Sequence, residues 1–200
     1  ADLYPYQMSQ STSERRYGNL CLSRHPILSV EDLPGAGVPA QQRITIDYEG
    51  HVIAVYNVHL AMPIGAPRFS HLPDNFVMEI ASRYNPSARN TEMRRLLRRL
   101  QTEPHPYIVA GDFNMSEYAV IYAEIAAKMT DAYRVCSGGV GGTWPVAVVE
   151  ELPSYLPSLL RVDYVWQSEH FRAVRAQRGP EMGSDHLPLY VQLELLGEER

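Results

Sequence analysis

The residues with the most to offer chemically are Asp112 and Asn114, in the run Tyr107-Ile108-Val109-Ala110-Gly111-Asp112-Phe113-Asn114. Tyr107 to Ala110 read as a short buried strand, and Gly111 lets the backbone turn closely. An acid and an amide then follow two positions apart. Side chains alternate across an extended chain, so Asp112 and Asn114 share one side while Phe113 points back into the core. A carboxylate can take a proton from water, and an amide beside it can hold that water or an oxyanion, a pairing suited to work on phosphate. A strand followed by an Asx-rich turn satisfies GDxN equally, so the rest of the chain has to decide.

Three further strand ends carry polar groups: His59, Asp163, and Asp185 with His186. Asp163 interrupts the apolar run Val162 to Trp166, where a lone acid is costly unless it is paired or hydrogen-bonded. A single histidine such as His59 is more often structural than catalytic. Four such ends in one chain are harder to dismiss, because strands lying side by side would bring them to one rim. Arg94, Arg95, Arg98 and Arg99 could hold phosphate, but they lie off the apolar stripe of their helix and read as a solvated basic face.

The elements that must position these groups follow in order. Residues 1 to 16 are polar and read as an exposed loop. Tyr17 to Ile27 holds a short apolar strand ended by Pro26, and a Pro- and Gly-rich loop runs from Leu33 to Pro39. Arg43 to Tyr48, Glu49-Gly50 and His51 to Leu60 form a β-hairpin. Its second arm is apolar on both faces, with Val52, Ala54, Tyr56 and Val58 on one and Ile53 and Val55 on the other. Such a strand belongs inside a layered structure. Asn57 and His59 continue the Ile53 face. Residues Ala61 to Arg89 are broken by Pro and Gly and too long for a plain connector, so a substrate-facing lid is expected there. A helix is expected from Asn90, capped by Asn90 or Thr91, with Met93, Leu96, Leu97 and Leu100 inward. A second spans Glu117 to Met129, with Tyr118, Ile121, Tyr122, Ile125 and Met129 inward. From Leu187 to Leu195 the alternation is that of a half-buried strand. Strands outnumber helices, and hairpins mix with crossings, so two face-to-face sheets with helices outside is the expected architecture.

Composition narrows the classes. Two hundred residues suit one domain spanning 1–200, and the apolar 45% and charged 20% are those of an ordinary globular chain. A net charge of -5, from 18 basic and 23 acidic residues, disfavours wrapping long duplex DNA through bulk charge. A nuclease needs only a locally positive cleft or a metal, so nucleic acid stays among the candidate substrates. Cys21 and Cys136 make neither a disulfide framework nor a zinc pair. No apolar run reaches the length of a membrane span, and residues 1 to 5 are not a signal peptide, so compartment stays open.

Together these pieces resemble the endonuclease/exonuclease/phosphatase superfamily, which includes deoxyribonuclease I, abasic-site endonucleases, neutral sphingomyelinases and inositol-phosphate phosphatases. The matching segments are Gly18-Asn19-Leu20-Cys21-Leu22-Ser23-Arg24-His25-Pro26-Ile27, Asn57-Val58-His59-Leu60, Gly111-Asp112-Phe113-Asn114, Arg161-Val162-Asp163-Tyr164-Val165 and Ser184-Asp185-His186, in family order. The resemblance implies a deoxyribonuclease I-like, four-layer α/β sandwich: two face-to-face mixed sheets with helices outside. It also implies roles. Asp112 would orient or deprotonate the attacking water, and Asn114 would hold phosphate or water. His186 would stabilise the phosphate or move a proton, and Asp163 would fix its imidazole. His59 would contact the scissile phosphate or leaving oxygen. Asp185 is either a ligand to a second metal or a structural acid. Water would attack phosphorus in line, with Mg²⁺ or Mn²⁺ spreading the developing charge.

One departure stands out. The family's first strands carry an asparagine and then a glutamate that is the principal metal ligand, and nothing before Tyr17 matches either. The chain is therefore expected to lack the family's first strands and to be the downstream part of a metal-dependent phosphoesterase, poorly active alone and completed by an upstream segment of its own polypeptide. The alternatives are a non-catalytic binding module that has lost the metal site, and a split protein whose pieces associate. A phosphodiester, a lipid headgroup or a phosphomonoester each remains open as substrate, as does oligomeric state.

Overall fold

The computed structural model describes residues 3–9, 18–33, 41–64, 78, 82–146, 158 and 160–197. Its centre is a six-stranded sheet in the order β3-β4-β5-β6-β8-β7. These strands are β3 (Ile27–Leu33), β4 (Gln41–Tyr48), β5 (His51–His59), β6 (Tyr107–Asp112), β7 (Thr130–Asp131) and β8 (Asp163–Gln167). The expected hairpin is β4 and β5, with Glu49 and Gly50 both at positive φ in its turn. β5 and β6 run parallel, and every other pairing in this sheet is antiparallel.

One face of the sheet is sealed. Ala54, Tyr56, Val58, Val109, Phe113, Tyr164 and Trp166 are buried against α1 (Ser87–Leu100) and α2 (Val120–Ala126) through Met93, Leu96, Leu100, Ile121 and Ile125. Phe113, Tyr122, Tyr164 and Trp166 pack as an aromatic cluster with ring centroids 5.2–6.5 Å apart, a spacing that favours offset and edge contacts.

The opposite face bears two antiparallel ribbons, β1 (Tyr6–Ser9) with β2 (Leu20–Ser23), and β9 (Phe171–Arg178) with β10 (Leu189–Leu195). The Asn57 amide, off β5, donates to the Leu20 carbonyl, and the start of β10 closes over Ala110 and Val165. This is the mixed sheet with outer helices expected of the fold class, with the second layer present among the described residues as two ribbons rather than one sheet. No helix of the described residues is long and apolar enough to cross a membrane.

Local boundaries differ from the sequence expectations at four places. Residues 6–9, expected in a loop, form β1; they are exposed throughout, and only pairing with β2 makes them a strand. The strand expected from Tyr17 to Ile27 is interrupted: β2 ends at Ser23, whose hydroxyl and the His25 backbone bond each other before β3 begins. α1 starts at Ser87, because the Asn85 side chain accepts the Ser87 N–H; Asn90 and Thr91 are inside the helix, not caps. The second helix begins at Val120, so Tyr118 lies in the preceding turn and is 89% exposed rather than inward. The loop 34–40 and most of 61–86 and 147–159 lie outside the described residues, and so does most of the expected lid.

Candidate functional site

Register places the site. His59 ends β5 opposite Asp112, the last residue of β6, and Asp112 lies opposite Asp163, the first residue of β8. All three alternate away from the helix-covered face, so a histidine and two carboxylates form one row across three adjacent strands. His186, in the segment before β10, completes the group: its Nδ1 stands 2.8 Å from Asp163 Oδ2. His59 Nε2 lies 3.5 Å from Asp112 Oδ2.

Gly111 makes the row possible. Its φ is +137°, and a Cβ there would stand 1.9 Å from the Val58 carbonyl oxygen. Only glycine lets β6 approach β5 this closely next to His59 and Asp112.

Two carboxylates opposite each other repel, and their surroundings show the effect. Burial raises the Asp112 carboxyl first, and the neighbouring Asp163 charge raises it further; the Asn114 N–H bond and the two histidines offset part of this, and the result is about 6. Burial alone pulls the His186 imidazole down, but the hydrogen bond and charge of Asp163, with Asp112 and Asp185 adding, outweigh it and raise it above its ordinary 6.5. An ionised carboxylate only accepts, so Asp163 fixes Nδ1 of His186 as the protonated nitrogen and leaves Nε2 to face the cleft.

Asn114 works inward. Its backbone N–H donates to Asp112 Oδ1 at 2.8 Å, and its Nδ2 donates to Asp112 Oδ2 at 3.1 Å and to the Leu60 carbonyl at 2.9 Å. Both amide hydrogens are thereby engaged, and a flipped amide would press its oxygen against two acceptors. Asn114 therefore orients Asp112, leaving only its own Oδ1 for water. Asp185 is exposed and touches the site through charge; its backbone oxygen accepts the Val146 N–H.

Two residues that the sequence reading passed over hold the frame. Arg89, expected in the lid loop, is 2% exposed on α1 and donates to the Asn114 carbonyl at 2.8 Å, supporting a residue whose φ is +48°. Glu92, one turn on, accepts the Ala61 N–H at 2.8 Å. One helix face thus grips the chain just after His59 and just after Asp112. A polar residue within an otherwise apolar helix stripe was the signal available. Arg94 and Arg99, by contrast, pair with Glu124 and Glu31 on the surface, in keeping with a solvated basic face.

Beside the dyad opens a cavity of about 370 Å³, bounded by Ala110, Val165, Leu187 and Leu189 with Asp163 and His186 at one end. Among the described residues no three acidic, histidine or cysteine side chains are placed to hold a metal ion. The donors present do not by themselves make a metal site.

The sequence model of the endonuclease/exonuclease/phosphatase family matches residues 1–186. No curated protein matches the chain by sequence. Among solved structures, an endonuclease/exonuclease/phosphatase family protein from Leptotrichia buccalis C-1013-b is 17% identical with a TM-score of 0.64, covering 95% of this chain and 71% of its own. The human nocturnin catalytic domain with bound sulfate is 18% identical with a TM-score of 0.59, over 94% and 72%. A mannosyl-6-phosphatase of Bacteroides thetaiotaomicron VPI-5482 is 16% identical with a TM-score of 0.56, over 89% and 70%. At these identities the likeness is one of fold. The matched residues and the shared fold together make the chain a member of the endonuclease/exonuclease/phosphatase family, whose members are in general hydrolytic enzymes and commonly use divalent metals.

Proposed function

We propose that this chain carries the acid–base half of a phosphoester hydrolase. The observation behind the reading is the row His59–Asp112–Asp163 on three adjacent strands, closed by His186 on Asp163. Asp112, with its carboxyl near 6, is ionised at neutral pH yet basic enough to take a proton from water attacking phosphorus. His186, whose protonated form Asp163 favours, meets the charge that builds on the phosphoryl oxygens and gives its Nε2 proton to the leaving oxygen. His59, next to Asp112, contacts the phosphate or leaving oxygen, and Asn114 keeps Asp112 aimed.

The ion implied by the family, Mg²⁺ or Mn²⁺, would supply charge neutralisation at the phosphate. Its ligands would have to come partly from outside the described residues. The incomplete ligand set among the described residues is also what favours a second reading, a binding module on the same fold. Against that reading stands the raised Asp112, because a binder gains nothing from keeping two carboxylates face to face.

The substrate is a phosphodiester or a phosphomonoester. Hydrolysis of bis-p-nitrophenyl phosphate and of a monoester panel, with Mg²⁺ or Mn²⁺ and with EDTA, tests the reading. Metal-dependent turnover lost in Asp112→Ala and His186→Ala is the expected result. No turnover at any metal level, or full rate in both variants, would leave the binding module.

A further inference from the structure

Asp163 and His186 come from different layers, one from the six-stranded sheet and the other from the segment entering the β9–β10 ribbon. Something must hold the two layers in register to a few tenths of an ångström, because a misplacement of about 1 Å can cost a hundredfold in rate. Thr143, fully buried, reaches both. Its Oγ1 accepts the N–H groups of Val162 and Asp163 at 3.2 and 3.3 Å. Its backbone N–H donates to the Leu160 carbonyl at 2.8 Å, and its carbonyl accepts the Leu187 N–H at 2.8 Å. One residue thus binds the chain on the Asp163 side through its hydroxyl and the chain beside His186 through its carbonyl. Val146 adds a second tie, its N–H donating to the Asp185 carbonyl at 2.9 Å.

We propose that Thr143 is a positioning residue of the hydrolytic site, its hydroxyl oxygen holding the start of β8 so that Asp163 meets His186 Nδ1. The inference rests on the proposed hydrolysis for its kinetic consequence but not for its structural one. The oxygen is the operative atom. Two successive N–H groups converge on it, and a residue of the same shape without it leaves a buried donor unpaired. Relief comes by shifting residues 162–163, and Asp163 moves with them.

The test compares the whole chain with Thr143→Val and Thr143→Ser. The His186 Nδ1 proton, hydrogen-bonded to a carboxylate, should resonate far downfield and is assigned by its absence in His186→Gln. Thr143→Val should lose that resonance and about a hundredfold in kcat on bis-p-nitrophenyl phosphate, with KM little changed. Thr143→Ser, which keeps the oxygen, should restore the resonance and most of the rate. An unshifted resonance in folded Thr143→Val overturns the proposal. If Thr143→Val does not fold, Thr143→Ser decides: a missing downfield proton there overturns the assignment to the hydroxyl, and a retained one supports it. If the wild-type chain shows the resonance but hydrolyses no phosphoester, the proposed function falls while the resonance still decides what Thr143 holds.

Discussion

Arg161 and Asp163 stand two residues apart at the head of β8, and each anchors a charged cluster of opposite design. Arg161, its side chain 2% exposed, pairs with Asp131 at 2.7 Å and Glu117 at 3.1 Å and lies 4.4 Å from the Tyr164 ring centre. Arg134 also pairs with Glu117, and the Tyr122 hydroxyl donates to Asp131, so two cations answer two anions. Burial works against the Glu117 carboxylate, but Arg134 and Arg161 outweigh it and hold it below its usual range. Around Asp163 the arrangement is reversed: carboxylate faces carboxylate, and Asp112 is pushed up to about 6. A buried charge with its partners in place holds a fold together, whereas an acid kept beside another acid costs stability and marks a candidate functional site.

The two clusters should respond to substitution in opposite ways. Asp112→Asn should show the largest effect: about a thousandfold loss of hydrolysis, the scale of a general base. Its stability should move the other way. The folded chain holds the Asp112 proton to about pH 6 and the unfolded chain releases it near 3.8, so folding takes up a proton between those values and stability falls as pH rises through that window. Removing the charge should therefore raise the unfolding free energy at pH 7 by up to about 3 kcal/mol. Calorimetry at pH 4 and pH 7 checks this, and a destabilised Asp112→Asn at pH 7 would place Asp112 in the same class as Arg161.

Arg161→Met should cost stability instead, about 3–5 kcal/mol, because Asp131 and Glu117 would remain buried with too little positive charge. Urea unfolding measures it. Gly111→Ala should cost about 3 kcal/mol, since a Cβ meets the Val58 carbonyl and φ is positive, and it should separate His59 from Asp112. The pH–rate profile should rise as Asp112 ionises near 6 and fall at higher pH as His186, raised by Asp163, gives up its proton; in Asp163→Asn the alkaline limb should move to lower pH. Arg94→Ala, which removes a surface pair with Glu124, should leave both the melting temperature and the rate unchanged.

Much of this site was legible because it is written at strand ends. Alternation along β5 separated the buried Tyr56 and Val58 from His59, and the same rule set Asp112 and Asn114 apart from Phe113. What local pattern could not reveal depends on distant partners. Asn114 read as a phosphate holder until the Leu60 carbonyl, on another strand's exit, engaged its second amide hydrogen. Arg89 read as loop because Asn90 and Thr91 looked like helix caps, and only the Asn114 carbonyl accounts for its burial on α1. Tyr118 was set inward by a helix phase that begins three residues too early, and β1 offers only Tyr6 and Met8, too short an alternation to stand out in a polar stretch. Arg161 was seen as part of a motif, with no hint of Asp131 thirty positions earlier.

The parallel pairing of β5 with β6 has a kinetic consequence. Antiparallel neighbours such as β4 and β5 close over a two-residue turn, but a parallel pair needs a crossover, here carrying α1 across the sheet. The entropy of closing that crossover is spent before any rung of the ladder forms. His59 opposite Asp112 is the final rung. A chain in which only β3, β4 and β5 have joined therefore lacks the row of His59, Asp112 and Asp163. Its formation is expected late in folding, with closure of the crossover.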